Sequence, residues 1–167
     1  AALNLDNLKS NEEKIAAIYT LLKKKISWNE EYALYGGKSK KTVKEGIGNN
    51  AEINFILMSM LKDAGIPSFP IVMSRRSMGI LPYAHPSLQK LNTFIVGIAN
   101  TDSTLVYLDG SVTHGYLNVL PPVLMVNRAR AIIGGRQSRW VDLSQTCKNQ
   151  LRSMVNAVIS PDGKIYG

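Results

Sequence analysis

The sequence predicts an α+β fold in which N-terminal helices, one of them central and buried, pack on an antiparallel β-sheet. Three stretches carry that expectation. Ser10-Asn11-Glu12-Glu13 opens an amphipathic helix, a glycine turn at Gly46–Gly48 opens an almost wholly apolar one, and two β-branched runs at 93–99 and 104–108 flank a turn-like segment.

The first helix follows from a hydroxyl at its start and a carboxylate three residues later, which together can satisfy free backbone N–H groups. Ile15, Ile18, Leu22 and Ile26 then recur at helical spacing. Lys23, Lys24 and Lys25 sit at the C-terminal end, where cations suit the helix dipole. Residues 27–44 turn irregular, with Trp28, Tyr32, Tyr35 and Gly36-Gly37, and read as a loop anchored by aromatic side chains.

The central helix spans 51–64. Asn49 and Asn50 can cap its start through a side-chain oxygen. Ile53, Phe55, Ile56, Leu57, Met58, Met60 and Leu61 leave almost no polar face, so the helix is expected to be buried all round. Gly65 supplies the left-handed position that ends it, Ile66 packs back, and Pro67 forbids continuation.

A strand is expected at 68–74, with Pro70 placing it at an edge or bulge. The Pro- and Gly-containing stretch 75–90 reads as a surface loop, and 93–99 with 104–108 as an antiparallel hairpin ended by Asp109-Gly110-Ser111. For 123–133 periodicity leaves a strand pair and an irregular connector equally open. Near the C-terminus, 152–159 alternates as a strand and Ser160-Pro161-Asp162-Gly163 is a turn. Lys164-Ile165-Tyr166 begins a returning strand, as the opening hairpin of a following β domain would. The expected division is therefore one domain over 1–145 and a linker with that hairpin over 146–167.

Composition narrows the function classes. The 167 residues suffice for one sizeable core, and no apolar run approaches the roughly 18 residues of a membrane span. The single cysteine, Cys147, excludes an intramolecular disulfide, and with His85 and His114 it makes no credible metal site, so no cofactor is expected. The net charge of +8 favours polyanions. Its cations are nonetheless spread over 23–25, 38–44, 75–76 and 128–139, which reads as a solvated basic surface and keeps nucleic acid off the list of expected partners.

The order capped helix, aromatic loop, glycine turn, buried helix, strand, loop and hairpin resembles the transglutaminase-like domain of the papain-like thiol enzymes. In detail it is similar to the variety found in large exported bacterial proteins, where β domains flank it. The resemblance covers roughly 10–109. It implies a papain-like core and a periplasmic or cell-surface location. The family's nucleophile motif is matched at Gly48-Asn49-Asn50-Ala51-Glu52-Ile53-Asn54, its base motif at Leu91-Asn92-Thr93-Phe94-Ile95-Val96, and its carboxylate motif at Tyr107-Leu108-Asp109-Gly110-Ser111. In such a triad a thiol at a helix N-terminus is activated by the dipole and a histidine, which a carboxylate orients.

Here the nucleophile position is Asn50 and the base position Thr93, and only Asp109 remains. An amide is no nucleophile at neutral pH and a threonine hydroxyl no general base. The expectation is a polar, inert Asn50–Thr93–Asp109 cluster, with Asn50 capping the helix and Asp109 bonding Thr93 or Asn50, or capping the turn before Gly110. Trp28, Gly48, Asn49, Glu52 and Asn92 would border a groove able to take a peptide or glycan. The resulting reading is a catalytically inactive transglutaminase-like module that binds or serves as a scaffold between β domains. The alternatives are a polyanion- or glycan-binding module using the basic surface, and an enzyme using Asp109 in an unrecognised non-thiol mechanism.

Overall fold

The computed structural model describes residues 8, 10–82, 87–100, 104–113, 115–135, 137–146 and 153–166. Its elements follow in the order α1 (Asn11–Lys25), β1 (Ser27–Trp28), α2 (Ser39–Glu45), β2 (Ile47–Gly48), α3 (Asn50–Asp63), β3 (Ser68–Met73), β4 (Thr93–Ala99), β5 (Leu105–Leu108), β6 (Ala129–Gly134), β7 (Gln137–Val141), β8 (Val158–Ile159) and β9 (Ile165–Tyr166). The fold is α+β: helices lie against a five-stranded antiparallel sheet of order β5-β4-β3-β6-β7.

Side-chain alternation along the strands gives the sheet two apolar faces. On one, Val96, Ile98 and Leu108 meet Ile15, Ile18 and Leu22 of α1 and Ile53, Leu57 and Leu61 of α3. On the other, Phe69, Ile71, Met73, Ile95, Ala129 and Ala131 are covered by Leu120, Leu124 and Leu143 from connecting segments. Each large aliphatic side chain so buried contributes roughly 1.5–3 kcal/mol relative to exposure, and this fixes α3 against β4.

α1 starts as its sequence requires, with Ser10 Oγ accepting from Glu13 N at 3.1 Å. α3 ends as expected: Gly65 has φ +73°, and Ile66 N donates to Leu61 O at 2.9 Å while its side chain is buried. The hairpin β4–β5 forms in the expected place, and β8 pairs with β9 around the 160–163 turn with exposed apolar side chains.

Three expectations need correction, and one left open is decided. The stretch 27–44 is not all loop: β1 pairs in parallel with β2, and 39–45 is a short helix that Gly46 ends at φ +70°. α3 is not buried all round, since Phe55 is 43% exposed and Ser59 faces solvent; Phe55 instead rests on Phe94, ring centroids 4.8 Å apart. β3 is the middle strand and not an edge. Pro70 is tolerated there because β6 pairs with β3 only at Ile71, Val72 and Met73, so the missing N–H breaks no bond of that ladder. The ambiguous 123–133 stretch divides into a 3₁₀ turn at Pro122–Leu124 and strand β6, which returns as β7.

Candidate functional site

The N-terminus of α3 is built by Asn49. Its Oδ1 accepts from Glu52 N at 2.9 Å and Glu52 Oε2 accepts from Asn49 N at 3.1 Å, a complete capping box. This corrects the capping role expected of Asn50. As the first helical residue, Asn50 turns its side chain into the protein. Its Oδ1 accepts from Ala33 N at 2.6 Å, and its Nδ2 donates to Thr93 Oγ1 at 2.6 Å and to Phe94 O at 3.3 Å.

One helical turn on, Asn54 shares that face. Its Nδ2 donates to Phe94 O at 2.9 Å and to Asp109 Oδ1 at 3.2 Å, and its Oδ1 accepts from Gly110 N at 2.7 Å. Asn50 and Thr93 are thus joined directly, whereas Asp109 reaches them through Asn54 and the Phe94 carbonyl that accepts from both amides. Of the roles weighed for Asp109, bonds to Thr93 or Asn50 are not found. The turn cap is: Oδ1 accepts from Ser111 N at 3.0 Å and Ser111 Oγ at 2.7 Å.

The segment 29–37 lies across this helix start. Glu31 O accepts from Asn50 N at 3.0 Å, satisfying one of the N–H groups that a helix start leaves free, and Gly37 N donates to Glu52 Oε1 at 2.9 Å. Trp28 is half-buried, donates from Nε1 to Glu31 O at 2.9 Å, and meets Tyr32 edge-on at 4.9 Å. The Arg75 guanidinium covers Tyr32 at 4.8 Å and donates from Nε to Asn92 Oδ1 at 3.2 Å. Gly48 has no room for a side chain, because a Cβ would stand 2.5 Å from Cγ2 of the buried Thr42 and 2.8 Å from Glu52 Oε2. Of the expected groove residues, Trp28, Gly48 and Glu52 hold this strap through Glu31 O, Asn29 N and Gly37 N, Asn49 caps the helix, and Asn92 joins the strap to the start of β4 through Arg75.

The consequence is a sealed site. Asn50 and Thr93 are fully buried and Asp109 is 1% exposed. Larger cavities open elsewhere, and a hollow of about 200 Å³ touches Gly48 and Glu52. This differs from the expected groove beside Asn50, and the reason is the hydrogen bond from Ala33 that draws the strap over it.

Burial dominates the electrostatics. It pushes the Asp109 carboxyl up from its ordinary range, against the lowering effects of the Ser111 and Asn54 bonds and the Lys23 charge. Among the described residues, Asp109 Oδ2 is the one buried side-chain polar atom without a hydrogen bond. Lys23 donates to Gly110 O at 3.0 Å; desolvation pulls its pKa down and Asp109 opposes this. Tyr19, whose hydroxyl donates to Asp109 O at 2.8 Å, is pushed up by burial and then by Asp109, and the same causes raise Tyr32 to about 12. None of these groups is a thiol or imidazole set against a base. Among the described residues no three His, Cys, Asp or Glu converge to hold a metal. His85, His114 and Cys147 lie outside the described residues.

No family model and no curated protein matches the sequence. A solved structure matches the fold: the crystal structure of "a putative protease" from Parabacteroides distasonis, 19% identical, superposes with a TM-score of 0.56 over 83% of this chain. The chain spans about a quarter of that protein's length, 26%. At this identity the likeness is one of fold. No helix among the described residues is long and apolar enough to cross a membrane.

Asn54, Ser111 and the Ala33 backbone were not foreseen as members of the site. A signal existed for Asn54: Asn50 and Asn54 are polar residues four apart in a largely apolar helix, which puts two amides on one face. Ala33 had no such signal, because its contribution is a backbone N–H brought in by the strap.

Proposed function

We propose that this chain is a catalytically inactive, transglutaminase-like module with a papain-like core, serving as a scaffold. The observation that carries the reading is the direct Asn50–Thr93 hydrogen bond at the N-terminus of α3. The two residues at the nucleophile and base positions are in direct contact, yet are an amide and an alcohol. Asp109, at the carboxylate position, is coupled to them by Asn54. The fold likeness to a protein described as a protease supports the papain-like reading. A sealed helix start favours a scaffold between β domains over capture of a peptide or glycan at this point. A place in the periplasm or on the cell surface of a bacterium belongs to the same proposal and rests on the sequence resemblance.

Restoring the missing groups tests it. In the Asn50→Cys/Thr93→His variant, with Cys147→Ser so that one thiol titrates, thiolate absorbance should appear well below the ordinary thiol pKa of about 8.5, as an ion pair at a helix N-terminus requires. A thiol that titrates at or above that value would mean that positions 50 and 93 are not the two halves of a former dyad.

A further inference from the structure

We infer that the cavity at the end of the sheet marked by Thr93 is a binding site for a small organic carboxylate with an aliphatic body. In the strand register Thr93, Met73, Ala129 and Val141 form one row across β4, β3, β6 and β7. Just past that row the chain leaves the sheet at Ser74 and enters it at Arg128, and a cavity of about 430 Å³ opens there. That is within the size range of small-molecule sites.

Its walls combine charge with apolar surface. Among the described residues, Arg76, on the 3₁₀ turn Arg76–Met78, and Arg128, at the entry to β6, are its two charged lining residues, with no Asp or Glu beside them. The Arg128 guanidinium is anchored by donating from Nη1 to Leu81 O at 2.9 Å. Arg76 is exposed and makes no hydrogen bond or ion pair among the described residues.

Ser74 is the third element. It is 3% exposed, and its Oγ accepts from Asn92 Nδ2 at 3.4 Å, so its own proton is left to donate. The Ser144 hydroxyl is not available in this way, because it donates to Asp142 Oδ1 at 2.6 Å. Two guanidinium groups and a buried hydroxyl donor match the planar, two-oxygen acceptor of a carboxylate. Leu81 and Met125 complete the wall and call for an aliphatic group behind the charge. The site lies outside the Asn50–Thr93 cluster and stands whether or not that cluster once held a triad.

The test is a ¹H–¹⁵N NMR titration of the whole chain with N-acetyl-leucine, its uncharged amide and inorganic phosphate. N-acetyl-leucine should shift resonances of 74–81, 125–128 and 144–145 and saturate at about 1–10 mM. The uncharged amide should bind at least about tenfold more weakly, and Arg76→Ala should cost about tenfold in affinity with an unchanged melting temperature. Absence of saturable shifts overturns the proposal, as does an Arg76→Ala variant of undiminished affinity. Equal binding by the uncharged amide overturns the role of charge. Phosphate that saturates the same resonances as tightly overturns the carboxylate assignment.

Discussion

Asn54→Ala is expected to lower stability by about 3 kcal/mol, a fall in melting temperature of roughly 10 °C for a domain of this size. The side chain makes three buried hydrogen bonds, to Phe94 O, Asp109 Oδ1 and Gly110 N. Truncation leaves the Gly110 N–H unpaired in the core and removes one donor from a carboxylate that already has an orphan oxygen. Loss of a partner is costlier than loss of the pair, because the remaining group keeps its desolvation penalty. Ser59→Ala, on the exposed side of the same helix, should change stability by less than about 0.5 kcal/mol. Urea and thermal melts of the two variants decide the matter. Similar losses in both would remove Asn54 from the centre of the site.

The second large effect concerns pH. The folded-state pKa of Asp109 lies above its unfolded value because burial penalises the charged form. The unfolded chain therefore releases this proton first as pH rises. The stability Asp109 contributes is fully present below the ordinary carboxylate pKa of about 3.9 and declines as pH rises through the folded-state value. Asp109→Asn keeps an oxygen to accept from Ser111 and Asn54 and removes the buried charge. It should melt higher than the parent at pH 8 by several degrees, on the order of 1–2 kcal/mol, and the gap should shrink as pH falls towards 4. A gap independent of pH would show that the Ser111 and Asn54 hydrogen bonds and the Lys23 charge balance desolvation at Asp109, and one of opposite sign that they outweigh it.

Much of this arrangement is legible in the sequence where local chemistry decides it. Ser10 and Glu13 cap α1, and Gly65-Ile66-Pro67 ends α3 for reasons confined to a few residues. The hairpin β4–β5 follows from its alternation and turn. Legibility fails where long-range pairing decides. Nothing near Pro70 says that a strand on its far side stops short of it, and only the β3–β6 register makes an interior proline acceptable.

The site divides in the same way. The proximity of Asn50 to Thr93 was readable only through the resemblance to the transglutaminase-like motifs, and the capping role went to Asn49 because its neighbour three residues on, Glu52, completes the box. The closure of the site was not readable. It depends on the edge-on contact of Trp28 with Tyr32 and on the Gly37 bond to Glu52, contacts that give the 27–44 stretch a fixed course over the helix.

That closure is the central claim, and the Ala33 amide reports on it most directly. Its N–H donates to the buried Asn50 Oδ1 at 2.6 Å. Native-state hydrogen exchange should find this proton protected to nearly the same free energy as core amides of β4, so that it exchanges through global unfolding. Exchange at the rate of an exposed loop amide would contradict the account, since it would place the strap off the helix and leave the Asn50–Thr93 position open to solvent.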